Sequence, residues 1–144
     1  MSDRSPTAID ANVIVRFLTK DHEHYAPARA IFEAVRDGKA QVVCDPVNLA
    51  EVVWVLQSYY REPPERVGKA LADLVKAPNF VVPQKERYLK ALELYAARKL
   101  SFADACACAA ALDDCDGRIY SFDRKLSGVP GVERLERAGD GEPA

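Results

Sequence analysis

The sequence predicts an α/β fold, a three-layer α/β/α sandwich around a central parallel sheet. Two observations lead there. Short apolar runs alternate with longer helical patterns along the chain, the arrangement that covers both faces of a parallel sheet with helices. Acidic residues recur just after those runs or inside the helices that follow, and an open parallel sheet collects its ligands beyond the carboxyl ends of its strands. With 144 residues, 49% hydrophobic and 29% charged, the chain has the make-up of one compact domain with a real core. We expect a single domain over residues 1–137 and a flexible tail over 138–144, where Gly, Asp, Glu and Pro dominate.

The elements follow in order. Thr7–Asp10 reads as the end of a first strand and Asn12–Thr19 as a short helix behind it. Tyr25–Arg36 is helical on the spacing of Ala28, Ile31, Phe32 and Val35, and Asp37-Gly38 stops it. Gln41–Cys44 is a short strand. Asp45-Pro46 opens the next helix with an N-cap acid and a first-turn proline. That helix runs to about Tyr60 and is apolar nearly all round, which predicts burial. Arg61-Glu62-Pro63-Pro64 breaks the chain. Val67, Leu71, Leu74 and Val75 mark an amphipathic helix ending near Pro78, Phe80–Val82 a strand, and Leu89, Leu92, Tyr95 and Ala96 a helix over Lys85–Lys99, so that the two helices make a hairpin-like middle section. A helix of small residues opens at Leu100–Asp104 and runs to Asp113. Arg118–Phe122 is the last clear strand, and Pro130–Leu135 adds an edge strand.

Composition excludes several classes. The net charge of -2 gives no global field for a polyanion, so a nucleic acid must be held by local cations. No apolar run approaches the ~20 residues that cross a bilayer, and Met1–Pro6 lacks a signal-peptide core; a cytoplasmic protein without membrane contact is expected. Cys44, Cys106, Cys108 and Cys115 lack zinc-site spacing and read as small core residues rather than a disulfide framework. The His22-x-His24 pair reads as a solvated helix start.

Four acids carry the chemistry: Asp10, Glu51, Asp104 and Asp123. Each also has a plain structural reading. Glu51, alone in an apolar helix, is either salt-bridged or a metal ligand, since a buried lone carboxylate is costly. Ser101 and Asp104 have capping-box spacing. Asp123 is a polar loop acid when taken alone. Brought together, four carboxylates repel and some take up protons unless a divalent cation neutralises them. An all-oxygen donor set suits Mg²⁺ or Mn²⁺. No Ser-His-Asp set or Gly-rich phosphate loop competes.

Asp10-Ala-Asn12 followed by Val-Ile-Val-Arg, Asn48-Leu-Ala-Glu51-Val-Val-Trp, Phe102-Ala-Asp104-Ala and Ser121-Phe-Asp123-Arg-Lys-Leu resemble, in order and spacing, the PIN-domain ribonucleases, and most closely the VapC-type toxins of bacterial type II toxin–antitoxin pairs. The resemblance spans about Thr7 to Leu135. It implies a PIN-like sandwich, an Mg²⁺- or Mn²⁺-dependent endoribonuclease, and metal ligation by Asp10, Glu51, Asp104 and Asp123. Asn12 and Ser121 match supporting polar positions. Ala11 and Ser121 stand where the family often has threonine, and the acids are untouched. Arg124, Lys125 and Arg16 are candidate contacts to RNA, with Lys20 beside them, or else solvated surface charges. The resemblance also implies a homodimer and a small VapB-type antitoxin. Two other readings are a degenerate PIN module that binds without cleaving and a haloacid dehalogenase-like Mg²⁺ phosphohydrolase. The second wants an Asp where Asn12 stands.

Overall fold

The computed structural model describes residues 5–20 and 22–140; the readings made for Met1–Arg4, Asp21 and 141–144 lie outside the described residues. The chain divides into two compact units, residues 1–85 and 86–144.

In the first unit, β1 (Thr7–Ala8), α1 (Ala11–Thr19), α2 (Tyr25–Arg36), β2 (Val42–Val43), α3 (Pro46–Ser58), α4 (Pro64–Lys76) and β3 (Phe80–Val81) follow in order. The strands pair in parallel as β1-β2-β3, with Thr7 opposite Val42 and Val42 opposite Phe80. Backbone bonds run past the formal strand ends, from Ile9 N to Val43 O (3.0 Å) and from Cys44 N to Val81 O (2.8 Å), so the ladder reaches nearly to Asp10 and Asp45. Because the strands are parallel, the residues that leave β1 and β2 emerge at the same edge. This is how Asp10 and the first turns of α3 come to be neighbours.

The helices obey local rules. Asp45 caps α3, its Oδ1 accepting from Val47 N at 2.8 Å, with Pro46 in the first turn, as its sequence predicts. Lys20 closes α1 in the left-handed region, φ 63°, its N–H donating to Arg16 O. Aromatic rings join α1, α2 and β3: Phe17 stacks on Phe32 at 4.2 Å, and Phe32 on Phe80 at 6.2 Å. The stripe Val67, Leu71 and Val75 of α4 is fully buried, as its spacing requires.

One expectation is corrected. The helix α3 is not buried all round. Leu49, Val52, Val53 and Leu56 face the core, while Val47 and Trp54 are 75% and 64% exposed and Glu51 is exposed between them. Counting apolar residues hid the period: 47, 51, 54 and 58 form an outer stripe at helical spacing. Glu51 is therefore a solvent-facing acid, and burial exacts no penalty from it.

The second unit holds α5 (Lys85–Ala97, beginning at the unit boundary), α6 (Phe102–Asp114), β4 (Arg118–Tyr120), a 3-10 turn (Arg124–Gly128) and β5 (Glu133–Leu135). The expected edge strand pairs in parallel with β4, Arg118 opposite Glu133. The 3-10 turn has no counterpart in the sequence reading. Leu100, Cys108, Leu126 and Val129 form a buried cluster that Leu94, Ile119 and Val132 complete. Between α5 and α6, Arg87 pairs with Asp113 (3.1 Å) and Asp114, and Lys90 with Asp113 (2.8 Å). Lys90 and Arg87 hold the Asp113 carboxyl below its usual range. Residues 138–140 close a turn, with Asp140 Oδ2 accepting from Arg137 N at 2.9 Å. Among the described residues, no helix is long and apolar enough to cross a membrane.

The cysteines are free. Burial pushes the thiols of Cys44 and Cys106 up to about 11 and raises Cys108, helped there by the charge of Asp104. At pH 8 a thiol with pKa near 11 is roughly one-thousandth thiolate. Native labelling with iodoacetamide should therefore modify exposed Cys115 first and Cys44 last. Mass mapping that found Cys44 ahead of Cys115 would contradict this packing.

Candidate functional site

Asp10 stands directly before α1 with extended backbone, φ -89° and ψ 153°, the posture of an N-cap. Its side chain makes no cap bond. The oxygen that serves the helix comes from elsewhere: Asn48 Oδ1, on α3, accepts from Ala11 N at 3.1 Å. An orphan N–H at a helix start needs such a partner. With Asn48 supplying it, the Asp10 carboxylate is left exposed and, among the described residues, uncommitted. Asn48 also lies three residues before Glu51, so one helix both fixes the entry to α1 and presents the second acid.

Asp10 and Glu51 line one cleft of about 780 Å³, together with Asn12, Arg16, His22 and the aromatic residues Trp54, Tyr59 and Tyr60. Among the described residues neither carboxylate enters a salt bridge or hydrogen bond. Arg16 donates from Nη1 to the Tyr60 hydroxyl at 3.1 Å, which holds its guanidinium on the cleft wall. His22, placed in the sequence reading at a solvated helix start, also reaches this cleft. Its Nδ1 accepts from His24 N at 3.0 Å, which is helix-start work. Ligand atoms of His22, Glu23 and His24 lie within 4.8 Å of one another.

The remaining two acids lie in the second unit. Ser101 caps α6, its Oγ accepting from Asp104 N at 3.1 Å. That is half of the expected capping box. Among the described residues the return bond from the Asp104 carboxylate is not made, and the half-buried side chain is uncommitted. Asp123 is busier. Ser121 Oγ accepts from Asp123 N at 3.0 Å, Asp123 Oδ1 accepts from Lys125 N at 3.0 Å to start the 3-10 turn, and Lys125 Nζ lies 3.8 Å from Asp123 Oδ2. Ser121 thus orients Asp123, and Lys125 already has an acidic neighbour. Arg124 and Lys20 are exposed.

Asp10 and Glu51 offer carboxylate oxygens in one cleft, the donor chemistry that a hard divalent cation takes. Among the described residues, the potential ligands that cluster in threes are His22, Glu23 and His24 and not these acids. The sequence reading did not single out Asn48 as a positioning residue, though the pair Asn48 and Glu51 at i, i+3 put both on one face. Asn48→Ala should cost about 1 kcal/mol, the typical worth of a lost cap, and Asn48→Asp should recover most of it by keeping the acceptor. Chemical denaturation measures both; equal stability of Asn48→Ala and the parent would remove this role.

A model of the PIN domain matches residues 7–132. No curated protein matches the chain. PIN domains are generally nucleases and typically use divalent metal ions, a description that suits the acids and cleft found here. With the matched region covering most of its length, β1 through the approach to β5, the chain belongs to the PIN domain family.

Proposed function

We propose that the protein is an Mg²⁺- or Mn²⁺-dependent endoribonuclease that hydrolyses RNA phosphodiester bonds, and that it is the toxin of a VapBC-type toxin–antitoxin pair. The observation that carries the catalytic reading is that Asp10 and Glu51 share one cleft with both carboxylates uncommitted. Asp10, Glu51, Asp104 and Asp123 would hold the cation. A divalent ion bound by them supplies Lewis acidity toward a phosphodiester and toward water. The chain's own residues do the rest. Asn48 keeps Asp10 free by capping α1 in its place, Asn12 adds a polar side chain on the cleft wall, and Ser121 fixes the backbone of Asp123. Arg16 on the cleft wall, with Arg124 and Lys125, meets the phosphate backbone, the local cations that a net charge of -2 makes necessary.

The toxin reading adds a homodimer and a VapB-type antitoxin. The stripe Val67, Leu71 and Val75 lies in the chain's own core, while Val47 and Trp54 leave apolar surface exposed on α3. A basic antitoxin side chain reaching Asp10 would compete with the cation by charge alone.

The test is cleavage of single-stranded RNA by the purified chain. Activity should require Mg²⁺ or Mn²⁺, stop with EDTA and return on adding back metal. Binding of RNA without cleavage at any metal concentration would favour the degenerate module. Co-expression with the neighbouring gene product addresses the toxin role: growth arrest relieved by that partner is expected, and a harmless, partnerless monomer would leave only the nuclease.

A further inference from the structure

The cleft does not end at the acids. Beyond Glu51 it runs to Trp54, Tyr59 and Tyr60. Trp54 follows Glu51 by three residues on α3, so the two project from one helix face, about 5 Å apart along the axis. The indole is 64% exposed and Tyr59 76%, a costly way to place two large rings unless something covers them. Tyr59 and Tyr60 meet edge to face at 4.9 Å, and Arg16 anchors the Tyr60 hydroxyl. The cleft therefore carries acids and aromatic rings, Glu51 and Trp54 along one helix, with the Arg16 guanidinium on the Tyr60 hydroxyl. A cation and one phosphate would fill only a small part of about 780 Å³, a volume within the range of clefts that enclose a drug-sized ligand.

We propose that these rings are a base platform: Trp54, with Tyr59 beside it, stacks an unpaired base of a single-stranded nucleic acid whose phosphate lies at Asp10 and Glu51. The inference rests on the nuclease reading above and names the form of its substrate. A base has a π-face whatever its identity, so such a platform selects single strands over duplex and is tolerant of sequence. Its continuity with the acids favours a nucleotide over an apolar peptide. A peptide anchor needs no carboxylate pair one helical turn away.

Trp54 is the sole tryptophan, so its fluorescence reports on this site alone. The full chain is titrated in EDTA, which keeps the strand intact, with single-stranded hexa-adenylate, an abasic strand of equal length, and a duplex. Hexa-adenylate should quench the emission; the abasic strand and the duplex should quench it little. By anisotropy of an end-labelled strand, Trp54→Ala should bind hexa-adenylate about 5- to 150-fold more weakly, and Trp54→Phe should keep most of the affinity. Both variants alter an exposed side chain and should melt with the parent; if Trp54→Ala unfolds, Tyr59→Ala is read in its place. Equal quenching by the abasic strand overturns the proposal, as does unchanged affinity of Trp54→Ala or no quenching up to millimolar strand. A blue-shifted emission that responds only to protein concentration also overturns it, because it marks a second copy on this face. Quenching without metal-dependent cleavage would leave the platform and remove the nuclease. Cleavage that Trp54→Ala leaves at full kcat/KM would do the reverse.

Discussion

Asp10→Asn should lower RNA cleavage by at least about 100-fold and leave the protein folded. Loss of a residue that merely supports a metal ligand commonly costs 10- to 100-fold, and on the proposed reading Asp10 is itself a ligand. The structural side of the expectation is specific to this chain. Asp10 makes no cap bond, and Asn48 Oδ1 takes the N–H of Ala11 instead. Among the described residues the carboxylate has no partner, so without metal the variant should melt no lower than the parent. Asp104→Asn should behave alike, because the cap of α6 uses the Asp104 N–H and not its side chain. Asp113→Asn is the contrasting control. It weakens the pairs with Arg87 and Lys90 and should lower the melting temperature while sparing activity. Because Asp113 has its carboxyl held low, that difference should be present above the usual carboxylate range and vanish as pH falls through the folded pKa. Full activity in Asp10→Asn alongside a large drop in melting temperature would assign this acid to the fold and not to catalysis.

The sequence was most readable where one local rule acted without competition. Tyr25–Arg36 emerges with the predicted bounds because an apolar stripe and a stop at Asp37-Gly38 agree. The start of α3 at Asp45-Pro46 was equally legible, and Asp45 caps it as expected. The burial of the same helix was not. Its composition is apolar, but what decides exposure is which residues share a face, and Val47, Glu51 and Trp54 turn outward together. The site shows the same limit. Asp10 at a strand end was visible from spacing, and parallel pairing of β1 with β2 explains how Glu51 comes into its cleft. The bond from Ala11 N to Asn48 spans 37 residues, and local pattern holds no trace of such a bond. The arrival of His22 and Tyr60 at the cleft is likewise a product of tertiary packing. Asp123 looked like a loop acid and is also an N-cap, since the 3-10 turn after it has too few residues to show a period.

Gly117→Ala should be the most damaging single-methyl change in the second unit. Gly117 is buried with φ +81°, between the end of α6 and the start of β4. Its N–H donates to Ala111 O at 2.8 Å, closing the helix, and its carbonyl accepts from Glu133 N at 2.8 Å, opening the β4–β5 ladder. A Cβ at this position would overlap the Gly131 carbonyl oxygen. The left-handed backbone alone costs an alanine about 1–2 kcal/mol, and this clash is with backbone that has no rotamer to escape into. A loss on the order of 3 kcal/mol or more follows, roughly 10 °C in melting temperature for a chain of this size. Gly38→Ala separates the two causes. Gly38 has φ +75°, and a Cβ there meets nothing within 4 Å, so only the backbone strain applies and the loss should stay near 1 kcal/mol. The consequence for function comes through position. Gly117 joins the helix that carries Asp104 to the strand that leads to Ser121 and Asp123, and a shift in either disturbs two of the four proposed ligands. At a temperature where Gly117→Ala is still folded, it should need more Mg²⁺ than the parent for half-maximal cleavage, while Gly38→Ala should match the parent. Equal melting of the two glycine variants would show that the approach of Gly131 is not tight, and an unchanged metal requirement in Gly117→Ala would separate this junction from the site.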